Sequence, residues 1–153
     1  SPERLAAQDS GTMEVGETFV VNVQADNLKA AHSVYAEITY DPTKLRLLGG
    51  PLGVDRGTLF VKTSESGRKE YLGWDRPKVW VDVSKPLARV AVSGNRGQAT
   101  PEPILSGSVA LLRFQAIAPG DCVLRLDKVV VKDRYDQELQ AAIANAYVSI
   151  ADR

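Results

Sequence analysis

Ser33-Val34-Tyr35-Ala36-Glu37-Ile38-Thr39-Tyr40-Asp41-Pro42 sets Val34, Ala36, Ile38 and Tyr40 at every second position and then stops. Successive side chains of a strand point to opposite faces, so this period of two reads as a half-buried strand. The four apolar positions face inward, and Ser33, Tyr35, Glu37 and Thr39 face out. Asp41-Pro42 ends the strand, because proline brings no amide hydrogen to a ladder. The stretch Phe19 to Ala25 repeats the pattern, with Phe19, Val21 and Val23 on one face.

Further strand-like runs are Thr58–Thr63, Val79–Ser84, Leu87–Ser93, Ser108–Ala118, Cys122–Val131 and Ala146–Ala151. Turn chemistry separates most of them: Asp26-Asn27, Gly49-Gly50-Pro51, Lys85-Pro86, Gly94-Asn95 and Pro119-Gly120-Asp121. About nine short strands with few helix signals predict an all-β, antiparallel sandwich or barrel. Its core draws on Phe19, Val21, Val23, Ala36, Ile38, Leu112, Phe114, Leu124 and Leu126. Tyr135, Leu139 and Ile143 recur every four residues and suggest a short helix within 134–143. Residues 64–78 read as a polar loop insertion and 94–107 as a long connection.

The chain has 153 residues, enough for one domain with a substantial core, and we expect 1–153 to be that domain. Lys plus Arg and Asp plus Glu both total 19, so the net charge is zero. Proteins that grip nucleic acid carry a basic excess, so no nucleic-acid partner is expected. No window approaches the roughly 20 apolar residues of a membrane-spanning helix. Ser1-Pro2-Glu3-Arg4 lacks an initiator Met and an apolar signal core, which reads as a module from a longer chain. The single cysteine, Cys122, permits no internal disulfide.

Catalytic chemistry has little to draw on. One His (His32) and one Cys (Cys122) are too few for the usual tetrahedral zinc site, and no metal or cofactor is expected. The sequence carries no Gly-x-Ser-x-Gly, P-loop, His-Glu-x-x-His or Asp-x-Asp-x-Asp-Gly motif. The carboxylates stand singly beside Lys or Arg, and nothing picks out the opposed pair a glycosidase needs. The reading is a binding module and not an enzyme.

Several ordered segments together resemble the cohesin family. Val15-Gly16-Glu17-Thr18 leads into a strand and is followed by Asp26-Asn27-Leu28. Next comes a strand ending Tyr40-Asp41-Pro42-Thr43-Lys44-Leu45. Gly107-Ser108-Val109-Ala110-Leu111-Leu112-Arg113-Phe114 is similar to a Gly-x-x-Ala-x-x-x-Phe strand, taken here as the family's strand 8. Asn145-Ala146-Tyr147-Val148-Ser149-Ile150 closes the chain. The resemblance implies a nine-stranded jelly-roll sandwich, with residues 139–151 carrying the last strand in place of the helix. It also implies an extracellular or cell-surface docking module of a larger secreted protein. Such modules bind dockerins, which carry the calcium, on a face formed by family strands 8, 3, 6 and 5. The chain departs from the enzyme-docking type, which has Asn-x-Asp ahead of Tyr-Asp-Pro where Ser33 and Tyr35 stand here. Cohesin-like modules also occur without dockerin partners. The sandwich is related to family 3 carbohydrate-binding modules too, so a polysaccharide ligand and a purely structural role remain open.

Parity and the implied strand order together nominate a surface. Tyr35, Trp80, Ala91 and Leu111 form an apolar centre, and Glu37, Asp82, Arg89 and Arg113 rim it. An aromatic centre with an arginine rim is the composition of an interface. The opposing expectation is that the 64–78 insertion or the 94–107 connection covers this face. Tyr71 and Trp74, in the insertion, could stack on sugars or pin the loop to the sandwich.

Overall fold

The computed structural model describes residues 3–8 and 11–152. The strands are β1 (Arg4–Gln8), β2 (Gly11–Glu14), β3 (Thr18–Lys29), β4 (Ser33–Tyr40), β5 (Leu45–Leu47), β6 (Val54–Arg56), β7 (Val61–Thr63) and β8 (Lys69–Tyr71). They continue with β9 (Gly73–Trp74), β10 (Lys78–Trp80), β11 (Ala88–Asn95), β12 (Ile104–Ala116), β13 (Gly120–Lys132), β14 (Glu138–Leu139), β15 (Ala142–Ala144) and β16 (Ala146–Ala151). Two short 3-10 turns, Gly50–Gly53 and Thr58–Phe60, interrupt them.

One sheet runs β15-β1-β3-β12-β5, with β6 also on β12. A second runs β10-β11-β4-β13-β16-β2, with β9 on β11 and β14 on β13, and β7 and β8 form a separate antiparallel hairpin. Counting β1 with β2, β5 with β6 and β15 with β16 as one each, and setting aside β7, β8, β9 and β14, gives the nine positions of a jelly roll. The antiparallel expectation needs one correction. β1 beside β15 and β2 beside β16 pair in parallel, since the first and last segments move together from one sheet to the other.

The core lies between the sheets. Val21, Val23, Ala36, Ile38, Leu112, Phe114, Leu124 and Leu126 are buried as expected, whereas Phe19 is half-buried and stacks on Phe114. Tyr40 meets Phe114 edge-on at 5.0 Å between centroids. At the end of β4, Asp41 accepts the Thr43 amide on its side chain and the Leu45 amide on its carbonyl. That turn delivers Leu45 into the core.

Two local expectations are overturned, and between helix and strand in the last segment the strand holds. Asp26-Asn27 does not end a strand: β3 continues to Lys29, Asn27 takes a left-handed φ of 56°, and its amide donates to Ser106 Oγ. The slip in β12 pairing between Leu105 and Gly107 absorbs the irregularity. No helix forms within 134–143; Asp133 caps a turn with its carboxylate, and β14 and β15 follow. The expected strand Val79–Ser84 stops at Trp80, where the chain leaves the ladder and leaves Val81 and Val83 exposed. There Asp82 accepts the Ser84 amide and hydroxyl, and this local turn replaces strand pairing.

Candidate docking face

The outward row of the β10-β11-β4-β13 sheet is set by register. Trp80 lies opposite Arg89, which lies opposite Thr39, and Thr39 is opposite Arg125. The next row is Lys78, Ala91, Glu37 and Lys128, and the third is Ser93, Tyr35 and Val130. On β11 the outward residues Ala91 and Ser93 are small. Their neighbours stand above them, which leaves an open depression of about 610 Å³. Tyr35, Glu37, Trp80 and Arg89 wall it, with Asp75, Arg76 and Lys78 along the edge.

These side chains hold one another. The Tyr35 hydroxyl donates to Glu37 Oε2, and Arg89 Nη1 reaches Glu37 Oε1 at 3.4 Å. The Arg89 guanidinium also lies over the Trp80 ring, and Lys128 Nζ stands 5.8 Å from the Tyr35 ring centroid. The hydrogen bond to Glu37 raises the Tyr35 phenol above its usual range; burial and the Glu37 charge add to this, and Arg89 opposes it. Glu37 is thus a shared acceptor that fixes one aromatic directly and the other through Arg89.

Neither long loop covers the face. The Asp75 amide bonds to the Ser93 carbonyl, so the insertion runs along the β11 edge and lines the depression. The 94–107 connection turns away: buried Arg96 donates to the Leu59 carbonyl and pairs with Glu102. Trp80 stays 40% exposed.

The predicted site residues divide. Tyr35, Glu37, Trp80 and Arg89 come together; Leu111 and Arg113 do not. β12 pairs with β3, β5 and β6 and belongs to the opposite sheet, so identifying it with the family's strand 8 is corrected. β4 lies between β11 and β13. Leu111 and Arg113 do face outward, but from the other side of the sandwich, where Arg113 pairs with Asp55 at 2.6 Å. Asp82 sits in the β10–β11 turn, its carboxyl held below the usual range by the Ser84 hydroxyl and then the Ser84 amide. Trp74 packs on Phe60 at 5.8 Å and pins the insertion to the core, while Tyr71 is exposed with Arg56 over its ring. The two rings form no common platform with Trp80 around the depression.

Sequence reasoning missed Lys78, Arg125, Lys128 and Val130. The signal for β13 is the step from Leu126 to Val129: both face the core, yet they stand three positions apart, an odd step that alternation forbids. Period two is broken there by the bulge between Leu126 and Lys128.

No protein-family model matches the chain, and no curated relative does. Solved structures do. The non-cellulosomal cohesin of Archaeoglobus fulgidus aligns over 99% of this chain and 92% of its own at 16% identity and a TM-score of 0.65. A type I cohesin of Clostridium thermocellum, solved with a dockerin, aligns over 99% and 95% at 11% identity and a TM-score of 0.71. A cohesin of Clostridium acetobutylicum aligns over 98% and 92% at 18% identity and a TM-score of 0.67. With its two large facing sheets and this full-length superposition, the chain has the cohesin fold.

Proposed function

We propose that the chain is a non-catalytic docking module that binds a protein partner through the outer face of the β10-β11-β4-β13 sheet. The observation that carries this is the uncovered depression, in which Glu37 fixes Tyr35 and Arg89, and Arg89 in turn stacks on Trp80. Pre-ordered aromatic and arginine side chains lose little entropy on binding, and such residues dominate interface energetics. Cohesins of this fold from Clostridium thermocellum were solved in dockerin complexes, which makes a dockerin-like module the first partner to try. We extend the proposal to a place in a larger cell-surface or secreted protein, with any calcium carried by the partner.

The test is titration of the immobilised chain with a panel of calcium-loaded dockerin modules. Tyr35→Ala and Trp80→Ala should each weaken binding at least about tenfold, as loss of an aromatic anchor does. Arg113→Ala, on the opposite sheet, should leave it unchanged. Binding that survives both aromatic substitutions and falls with Arg113→Ala would move the interface to the other face and end this reading.

A further inference from the structure

We infer that the partner presents an acidic polypeptide surface to this face, an inference that rests on the docking reading above and adds the chemistry of what docks. The chain as a whole is neutral, with 19 residues of each sign. The outward rows of the face are not. Lys78 on β10, Arg89 on β11, and Arg125 and Lys128 on β13 are exposed on both sides of β4. The one carboxylate in those rows, Glu37, is mostly covered and already engaged by Tyr35 and Arg89. Around the rim Asp75 adjoins Arg76 and Asp136 pairs with Lys132 at 3.2 Å, while Asp127 at the β13 bulge and Asp82 in the β10–β11 turn offset part of the cationic excess. With Arg89 held by Glu37, the outward rows still carry Lys78, Arg125 and Lys128, a cationic excess at the centre of a neutral molecule.

Such a centre favours encounter with a surface of opposite sign and disfavours a cationic one. The rings argue for a polypeptide over a glycan. Arg89 lies over Trp80 and Lys128 over Tyr35, so one face of each ring is taken by a cation. Sugar stacking wants that face open, whereas carboxylates of a partner chain pair with the same cations as they lie.

The probes are poly-L-glutamate and alginate, a polyuronate, each titrated against the whole chain at about 0.15 M salt, where the screening length is roughly 8 Å. Poly-L-glutamate should bind, and the double variant Lys78→Glu with Lys128→Glu should weaken it at least about tenfold. The control, Lys62→Glu with Lys69→Glu, reverses two cations on the β7–β8 hairpin away from the face and should change binding less than about twofold. Equal loss in both double variants would mean attraction to scattered charge and would overturn the inference. Tighter binding to alginate would replace the polypeptide with an acidic glycan. Should neither polymer bind while a dockerin still requires Tyr35 and Trp80, the docking face stands and its acidic preference falls. If poly-L-glutamate binding depends on the hairpin lysines alone, the inference falls at this face.

Discussion

The guanidinium carbon of Arg89 stands 4.3 Å from the centroid of the Trp80 ring, directly across the β10–β11 ladder. Both side chains point away from the core, so the contact orders a surface and does little to hold the sandwich together. A partly exposed cation–π contact contributes about 0.5–1 kcal/mol. The Arg89–Glu37 ion pair, with Arg89 itself about half exposed, contributes no more than that.

Arg89→Ala removes both contacts and should therefore lower unfolding free energy by no more than about 2 kcal/mol. It should also release Trp80. Time-resolved tryptophan anisotropy would show faster local motion, with Trp74 as an internal reference held against Phe60. A loss above about 3 kcal/mol would place Arg89 among the buried networks and contradict its surface role.

Much of this face was legible from parity. The bounds of β4, Ser33–Tyr40, and of β16, Ala146–Ala151, follow directly from alternation, and Tyr35, Glu37, Trp80 and Arg89 were all read as outward. Parity tells in from out but is silent on which of two sheets a strand joins. Leu111 and Arg113 were accordingly outward as expected and yet on the opposite side. Sheet membership is decided by long-range pairing, which alternation along one strand does not encode. The expected strand Val79–Ser84 breaks off at Trp80 for a different reason: Asp82 offers the backbone a local turn that outcompetes the ladder.

Gly94 tests how the insertion is anchored. A Cβ there would come within 2.7 Å of the Phe60 ring, which is itself packed against Trp74. Gly94→Ala should push Phe60 and Trp74 outward and cost about 1–3 kcal/mol by overpacking. The tryptophan emission should shift to the red as Trp74 gains solvent. An unchanged spectrum and stability would show that the Phe60 ring yields freely.

Phe114→Ala tests the core. Phe114 is fully buried, stacked by Phe19 and met edge-on by Tyr40, so its removal forfeits transfer energy and leaves a cavity. The expected loss is about 3–5 kcal/mol in denaturant unfolding. A loss below about 1 kcal/mol would be incompatible with a side chain buried between the sheets.

The Tyr35–Glu37 hydrogen bond makes a pH-dependent prediction. Tyr35 donates to Glu37, which favours the neutral phenol and raises its pKa above the ordinary value of 10.0; burial and the Glu37 charge push the same way. An acid whose pKa is raised on folding binds its proton more tightly in the folded state. Its stabilising contribution is complete below pH 10.0 and is lost as pH climbs through the folded-state value. Wild-type stability should thus fall on the alkaline side, and Tyr35→Phe should fall less steeply there. Glu37→Gln replaces the charged acceptor with a neutral one, so the Tyr35 titration, followed by ultraviolet difference absorbance, should move down towards 10.0. Tyr40 supplies the internal control, because its phenol is raised by burial alone and should not move. If Glu37→Gln leaves the Tyr35 titration in place, Glu37 is not what orders this side chain, and the pre-organised face loses its hinge.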